Sequence, residues 1–175
     1  MRVVEHDAPP RIELKHRTLV MSVRPGTDGA RRHALLSLWY REQLRAAAAP
    51  VMAKWAKSLR VEVAHLFVRQ MKTKWGSCNP KGSTIRLNTE FAKKSPQCLE
   101  YVLLHELAHL LEPKHSGRFR AILDQHMPGR SHVRDELNRG TAWARGLGTL
   151  NAGDGVGRLA PPLTAFTLVG TAWPW

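Results

Sequence analysis

The sequence has few cysteines and no long apolar run. Cys78 and Cys98 are the only cysteines and form no C-x-x-C pair. They therefore indicate free buried thiols, and a disulfide or a cysteine zinc site is not expected. No apolar run reaches the roughly 18 residues of a membrane-spanning helix, and residues 1–10 lack the apolar segment of a signal peptide. We expect a cytoplasmic, soluble protein with no membrane partner.

Acidic residues are also scarce. The chain of 175 residues has 27 Lys and Arg against 14 Asp and Glu, a net charge of +13. Such a balance attracts polyanions through a salt-dependent electrostatic term, although it can also serve only to keep a small protein soluble. The basic residues are dispersed and no DNA-reading motif accompanies them. Nucleic acid is therefore a possible partner, on charge alone.

The most informative motif is His-Glu-Leu-Ala-His at positions 105–109. At about 100° per residue, His105 and His109 lie one helical turn apart on the same face, where both can bind one zinc ion. Glu106 falls beside that position, as a general base requires. Pro113 turns the chain after the helix, so that His115 can supply a third ligand.

The surrounding residues favour a helix with a buried stripe opposite the histidines. Ser95 is a suitable cap, Pro96 suits the first turn, and the apolar stripe comprises Leu99, Leu103, Leu107 and Leu110. Glu112 is the main rival to His115 as third ligand, with a surface or supporting role favoured. Further side chains could bind metal but are expected on solvated faces: Asp124, His126, His132, Asp135 and Glu136.

The spacing of the three histidines coincides with the metzincin signature. That signature expects a glycine where this chain has Glu112. Met127, in a turn-like Met-Pro-Gly, is better explained as a core contact than as a methionine turn beneath the metal. The metzincin assignment is rejected.

Several segments in order resemble another family, the YgjP-like metallopeptidases, which are related to the SprT and WLM zinc proteases. The matching segments are Lys-Trp-Gly-Ser-Cys at 74–78, Ile-Arg-Leu-Asn at 85–88, the helix segment 101–110, His115-Ser116 and Phe119. The resemblance covers residues 11 to 138. It implies a zincin-like fold, zinc held by His105, His109 and His115, Glu106 as catalytic base, and peptides as substrates.

We expect one α+β domain of zincin-like fold over residues 1–139, with a small antiparallel sheet and a central H-E-x-x-H helix. Residues 140–175, rich in Gly and Pro, are expected to form a flexible tail. Apolar patterns predict the remaining elements. These are a hairpin over 11–24, a helix over 28–49 that kinks or restarts at Pro50 and runs to 57, strands over 61–71 and 84–88, and helices over 116–125 and 131–138.

The loop 74–78 and the strand 84–88 are expected to flank the substrate cleft, by analogy with zincins. A plain hairpin with a buried Trp75 explains the same residues equally well.

The leading hypothesis is a zinc-dependent peptidase, in which Glu106 deprotonates a water molecule that zinc activates. Tyr101, Lys74 and Arg118 are candidates for stabilising the oxyanion. The alternative is a basic, zinc-containing module that binds nucleic acid or protein and hydrolyses nothing. Glu106 favours the enzyme, because a structural zinc site has no use for an adjacent carboxylate. Hydrolysis of a non-peptide amide would use the same groups.

Overall fold

A computed structural model describes residues 1–16 and 18–139. The predicted tail over 140–175 lies outside the described residues. Contacts divide the chain into two compact units, residues 1–43 and the chain from Leu44 onward. No helix in the described part of the chain is long and apolar enough to cross a membrane.

The first unit contains a three-stranded sheet of order β1-β3-β2. The strands are β1 (Arg2–Glu5), β2 (Arg11–Lys15) and β3 (Thr18–Val23). The predicted hairpin is confirmed as the antiparallel pair β2–β3, in which Leu14 lies opposite Leu19. Strand β1 pairs in parallel with β3 and was not predicted. Its apolar part is only two valines long, too short for a period to be visible.

The long helix α1 (Gly29–Leu59) begins as predicted but does not restart at Pro50, which lies inside it. Asp28 caps the helix, because the Arg31 N–H donates to its Oδ1 at 2.7 Å. A run of four alanines precedes the proline, and Ala48, Val51 and Trp55 are buried on both sides of it. Burial and helix propensity together outweigh the cost of one missing N–H.

The second unit holds a mixed sheet of order β4-β6-β5. Its strands are β4 (His65–Arg69), β5 (Gly76–Asn79) and β6 (Thr84–Asn88). Strand β6 is central, parallel to β4 and antiparallel to β5. The α+β class is thus confirmed, and each sheet adds a parallel pair to the predicted antiparallel one. Strand β5 corrects the predicted loop, and β4 is shorter than the predicted 61–71.

Three further helices complete this unit: α2 (Pro96–Ala108), α3 (Gly117–His126) and α4 (Arg130–Asn138). All three were predicted, with Ser116 capping α3 through the Phe119 N–H at 3.2 Å. The stripe residues Leu99, Leu103 and Leu107 are buried, together with Ile85 and Leu87 of β6. This core holds α2 against the inner face of the sheet and thereby fixes the position of the histidine motif.

Candidate active site

Helix α2 ends at the histidine motif. His105 and Glu106 lie in its last turn, and His109 is the C-cap residue with helical backbone angles. The chain then turns through Pro113 and returns in α3, whose N-cap is Ser116. Because His115 immediately precedes that cap, its side chain is carried back towards the end of α2.

The three histidines converge. The Nε2 atoms of His105 and His115 are 3.1 Å apart. One ligand atom from each of His105, His109 and His115 lies within 4.8 Å of the others, the only such metal-binding group in the part of the chain described. Two imidazole nitrogens cannot face each other this closely as bare lone pairs, so the arrangement suits a shared cation or proton.

A backbone carbonyl orients one ring. His109 Nδ1 lies 3.1 Å from the carbonyl oxygen of Glu112. A protonated Nδ1 donates to that carbonyl and leaves the lone pair on Nε2, the usual support of a metal-binding histidine. The Glu112 carboxylate instead accepts from the Lys114 N–H at 3.4 Å. Glu112 therefore contributes its backbone, and its side chain is outside the ligand group.

Phe119 on α3 touches all three imidazoles. Its ring centroid is 4.9 Å from that of His105, 4.5 Å from that of His109 and 4.8 Å from that of His115. Phe119 is almost fully buried. One aromatic ring thus restricts the rotation of each candidate ligand, which is the rigid support that such a site needs.

Strand β5 packs directly on Glu106. A Cβ atom added at Gly76 would lie 2.7 Å from Glu106 Oε1, 2.8 Å from its Cγ and 2.9 Å from Val102 Cγ1. Only glycine leaves room for the carboxylate here. The Cys78 N–H donates a hydrogen bond to the same carboxylate, and the Lys74 ammonium group lies close enough to act on its charge.

The loop that carries Lys74 is fastened by Asn88, a fully buried residue at the end of β6. Asn88 Nδ2 donates to the carbonyl oxygens of Met71 and Lys74, both at 2.8 Å. Its Oδ1 accepts from the Glu90 N–H at 3.2 Å. The two Nδ2 hydrogen bonds, and a further one in which Oδ1 accepts from the Met71 N–H at 3.4 Å, hold residues 71–74 beside the sheet.

Burial shifts the pKa values of the site in opposite directions. Burial raises the pKa of Glu106 to about 7, although Lys74 and the Cys78 N–H oppose the rise. Burial, together with the neighbouring histidines and Arg130, lowers the pKa of His105 to about 3. The pKa of His109 is also lowered, chiefly by burial. In the metal-free protein His105 and His109 are therefore neutral at pH 7, which keeps their lone pairs available.

Arg130, at the start of α4, was not anticipated. Its guanidinium is largely buried and pairs with Asp124 at 2.8 Å. It donates a hydrogen bond to the Tyr101 hydroxyl and its charge reaches His105. Tyr101 is itself buried, and its ring centroid lies 6.0 Å from that of His105. No local motif marks Arg130, because its role depends on how α4 packs on α2.

The other side chains able to bind metal stay apart from the histidines. Asp124 pairs with Arg130 and Asp135 with Arg134, while His126 Nδ1 lies 2.9 Å from the Ile122 carbonyl oxygen. The two cysteines are free, as predicted. Burial and the Glu106 charge raise the pKa of Cys78 to about 11, so its thiol stays protonated at neutral pH.

Comparisons with known proteins identify the family of the chain. The family model described as YgjP-like, metallopeptidase domain, matches residues 1–140. No curated protein matches significantly. The zymogen of abylysin from Pyrococcus abyssi is similar over 50% of this chain and 89% of its own, with 22% identity and a TM-score of 0.46. The zymogen of jannalysin from Methanocaldococcus jannaschii is similar over 51% and 88%, with 26% identity and a TM-score of 0.45. The chain belongs to the YgjP-like metallopeptidase family and is a peptidase.

Proposed function

We propose that this peptidase uses one zinc ion held by His105, His109 and His115, with Glu106 as general base. The observation that carries the proposal is the convergence of three imidazole ligand atoms within 4.8 Å, one residue away from a buried carboxylate. Three protein ligands leave a coordination position open, which distinguishes a catalytic zinc site from a closed structural one.

The residues fit zinc on chemical grounds. Neutral imidazole is a favoured zinc ligand, and His105 is held neutral by its lowered pKa. The Glu112 carbonyl and the Phe119 ring fix how His109 is presented. When bound, zinc would supply Lewis-acid activation of water and of the scissile carbonyl.

Glu106 is placed to move protons. Its carboxylate is buried beside the histidine cluster, and its raised pKa of about 7 is near the value at which a base works efficiently at neutral pH. We infer that it takes a proton from the attacking water and passes it to the leaving amine. The Cys78 N–H holds the carboxylate in place during both transfers.

The contacts favour Lys74 among the three predicted helpers for the oxyanion. Tyr101 is buried and Arg118 is exposed, whereas Lys74 acts on the charge of Glu106 from an exposed position. A cation beside the base can also approach a developing negative charge.

The peptide substrate is proposed to lie beside β5. Strand β5 is an edge of its sheet and adjoins Glu106, whereas β6, which was also expected to flank the cleft, is paired on both sides. An extended peptide can add to an edge strand through backbone hydrogen bonds. Trp75 is buried next to this edge. The segment can therefore flank the substrate cleft and also form a hairpin with a buried Trp75, so the two interpretations are compatible.

The non-hydrolytic binding module is disfavoured by the cost of burying Glu106 beside neutral imidazoles. Hydrolysis of a non-peptide amide would use the same groups, and only a substrate screen separates it from proteolysis. Nucleic-acid association and a cytoplasmic location remain predictions, since the family and the similar structures point only to peptides.

Metal content and peptidase activity, measured on the same preparations, test the proposal. About one zinc per chain is expected in the wild type and in Glu106→Gln, with activity only in the wild type. His115→Ala should bind zinc more weakly, whereas His132→Ala, an exposed histidine outside the cluster, should change neither quantity. Zinc that His115→Ala binds as tightly as the wild type, or full activity in Glu106→Gln, would refute these assignments.

A further inference from the structure

The sheet β4-β6-β5 has a second face, opposite the one that packs on α2. Gly76 lies opposite Leu87 in the β5–β6 register, and a Cβ atom at Gly76 would point at Glu106 and Val102 of α2. Gly76 and Leu87 therefore belong to the face that packs on α2. Because side chains alternate along a strand, the neighbouring positions point to the opposite face.

This second face is called here the outer face, and it consists of His65, Phe67, Arg69, Ser77, Asn79 and Arg86 with the buried Thr84 and Asn88. Its central row crosses all three strands: Phe67 lies opposite Arg86, and Arg86 lies opposite Ser77. Thr84 and Asn88 are buried at its two ends. The accessible part of the face is therefore centred on that row.

An aromatic side chain is exposed at one end of the central row, on the edge strand β4. Phe67 is 47% exposed, and its ring centroid lies 5.9 Å from that of His65. A single exposed apolar side chain is common on protein surfaces, so Phe67 is informative only together with the charges beside it. A planar ring on an open sheet is also a platform on which a base can stack.

The charge on the outer face is of one sign. The three strands contain no Asp or Glu. Arg69 and Arg86 make no ion pair within the described residues, although eight other basic groups there do. Two uncompensated guanidinium groups beside an exposed ring complement a chain of phosphates and bases, in a protein whose net charge is +13.

We propose that the outer face binds single-stranded nucleic acid. Arg69 and Arg86 contact phosphates, and a base stacks on Phe67 with His65 at its edge. A single strand fits better than a duplex, because in a duplex the base faces are already stacked on each other. An acidic peptide would satisfy the arginines but would leave the ring without a stacking partner. The surface is separate from the histidine cluster and independent of peptidase activity.

Fluorescence anisotropy with the full chain and a labelled oligothymidylate of about fifteen nucleotides tests the proposal. Phe67→Ala should weaken binding about fivefold or more, and Phe67→Trp should retain it. Arg69→Ala and Arg86→Ala should each lower the salt slope, by about 0.7 per lost phosphate contact. Arg120→Ala removes an exposed arginine from α3 and is the matched control, with little expected effect.

Three results would overturn the proposal: no binding by the wild type at low salt, equal losses in Phe67→Ala and Arg120→Ala, or stronger binding of the matching duplex or of polyglutamate than of the single strand. Glu106→Gln should bind the oligonucleotide as the wild type does. That variant separates failure of this proposal from failure of the peptidase mechanism.

Discussion

Helix α2 and strand β5 contribute to the same site in different ways. Helix α2 contributes side chains, since His105, Glu106 and the C-cap residue His109 all come from its last turn. Strand β5 contributes backbone, through the Cys78 N–H and the missing side chain of Gly76. The helix thus supplies the proposed reactive groups, and the strand affects the position and the pKa of one of them, Glu106.

The support beneath β5 should show the largest effect. Asn88→Ala removes two donors and an acceptor from a fully buried position and should lower the free energy of unfolding by about 2–4 kcal/mol. Asn88→Asp keeps the acceptor for the Glu90 N–H and loses both donors, so a deficit should remain. Chemical denaturation measures both. Wild-type stability in Asn88→Ala would show that the loop 71–74 is held by other contacts.

Adding a methyl group between β5 and α2 tests how far the position of Glu106, as distinct from its chemical identity, determines activity. Gly76→Ala places a Cβ atom against Glu106 and Val102, so it should lower kcat/KM on the order of 100-fold and stability by about 1–3 kcal/mol. Zinc content should not change. Gly117→Ala, where an added Cβ meets nothing within 4 Å, is the control. Equal activity in the two variants would remove β5 from the mechanism.

The raised pKa of Glu106 should appear in the stability of the metal-free protein. A raised folded-state pKa destabilises the fold as pH rises from the ordinary value of 4.5 through about 7. Glu106→Gln abolishes this term, so it should be more stable than the wild type at pH 8, by on the order of 3 kcal/mol. The gain should vanish below pH 4.5. His105 titrates in both proteins, so its contribution cancels when the two free energies of unfolding are subtracted. A pH-independent gap would show that burial does not act on the charge of Glu106.

The effect of Lys74 on the pH dependence should be the smallest shift, and it is separate from the fall in kcat expected if Lys74 stabilises the oxyanion. Its charge lowers the pKa of Glu106, so Lys74→Ala should move the acidic limb of the rate profile to higher pH. The group is exposed, so the shift should be a fraction of a pH unit and should shrink with added salt. Lys72→Ala, an exposed neighbour, is the control. A shift to lower pH would contradict the sign.

The contrast between α2 and β5 also explains which parts of the site could be predicted from the sequence. Helix α2, its stripe and the three histidines follow from a period of 3.6 and from ligand spacing, which are local properties. Strand β5 does not follow from local properties. Its sequence, Gly-Ser-Cys-Asn, is typical of turns and becomes a strand only by pairing with β6. Arg130 likewise acquires its place near Tyr101 from the packing of α4 on α2.

Pro50 shows the reverse case, in which a strong local signal is overridden. A proline predicts a kink or a restart, and the restart is wrong, because α1 continues for nine residues beyond Pro50. The prediction was local and correct in its chemistry, since one N–H is missing. Burial of Val51, Trp55 and Leu59 on the far side holds the helix together.

The end of α2 at Ala108 determines which residues would open when the metal is lost. The three proposed ligands span a helix end, a turn and the entrance to α3, so a bound ion cross-links a loop of about ten residues. The leucines of α2 are buried without it. Chelation should therefore open the turn and leave the helix core closed, with faster amide hydrogen exchange confined to residues 109–116.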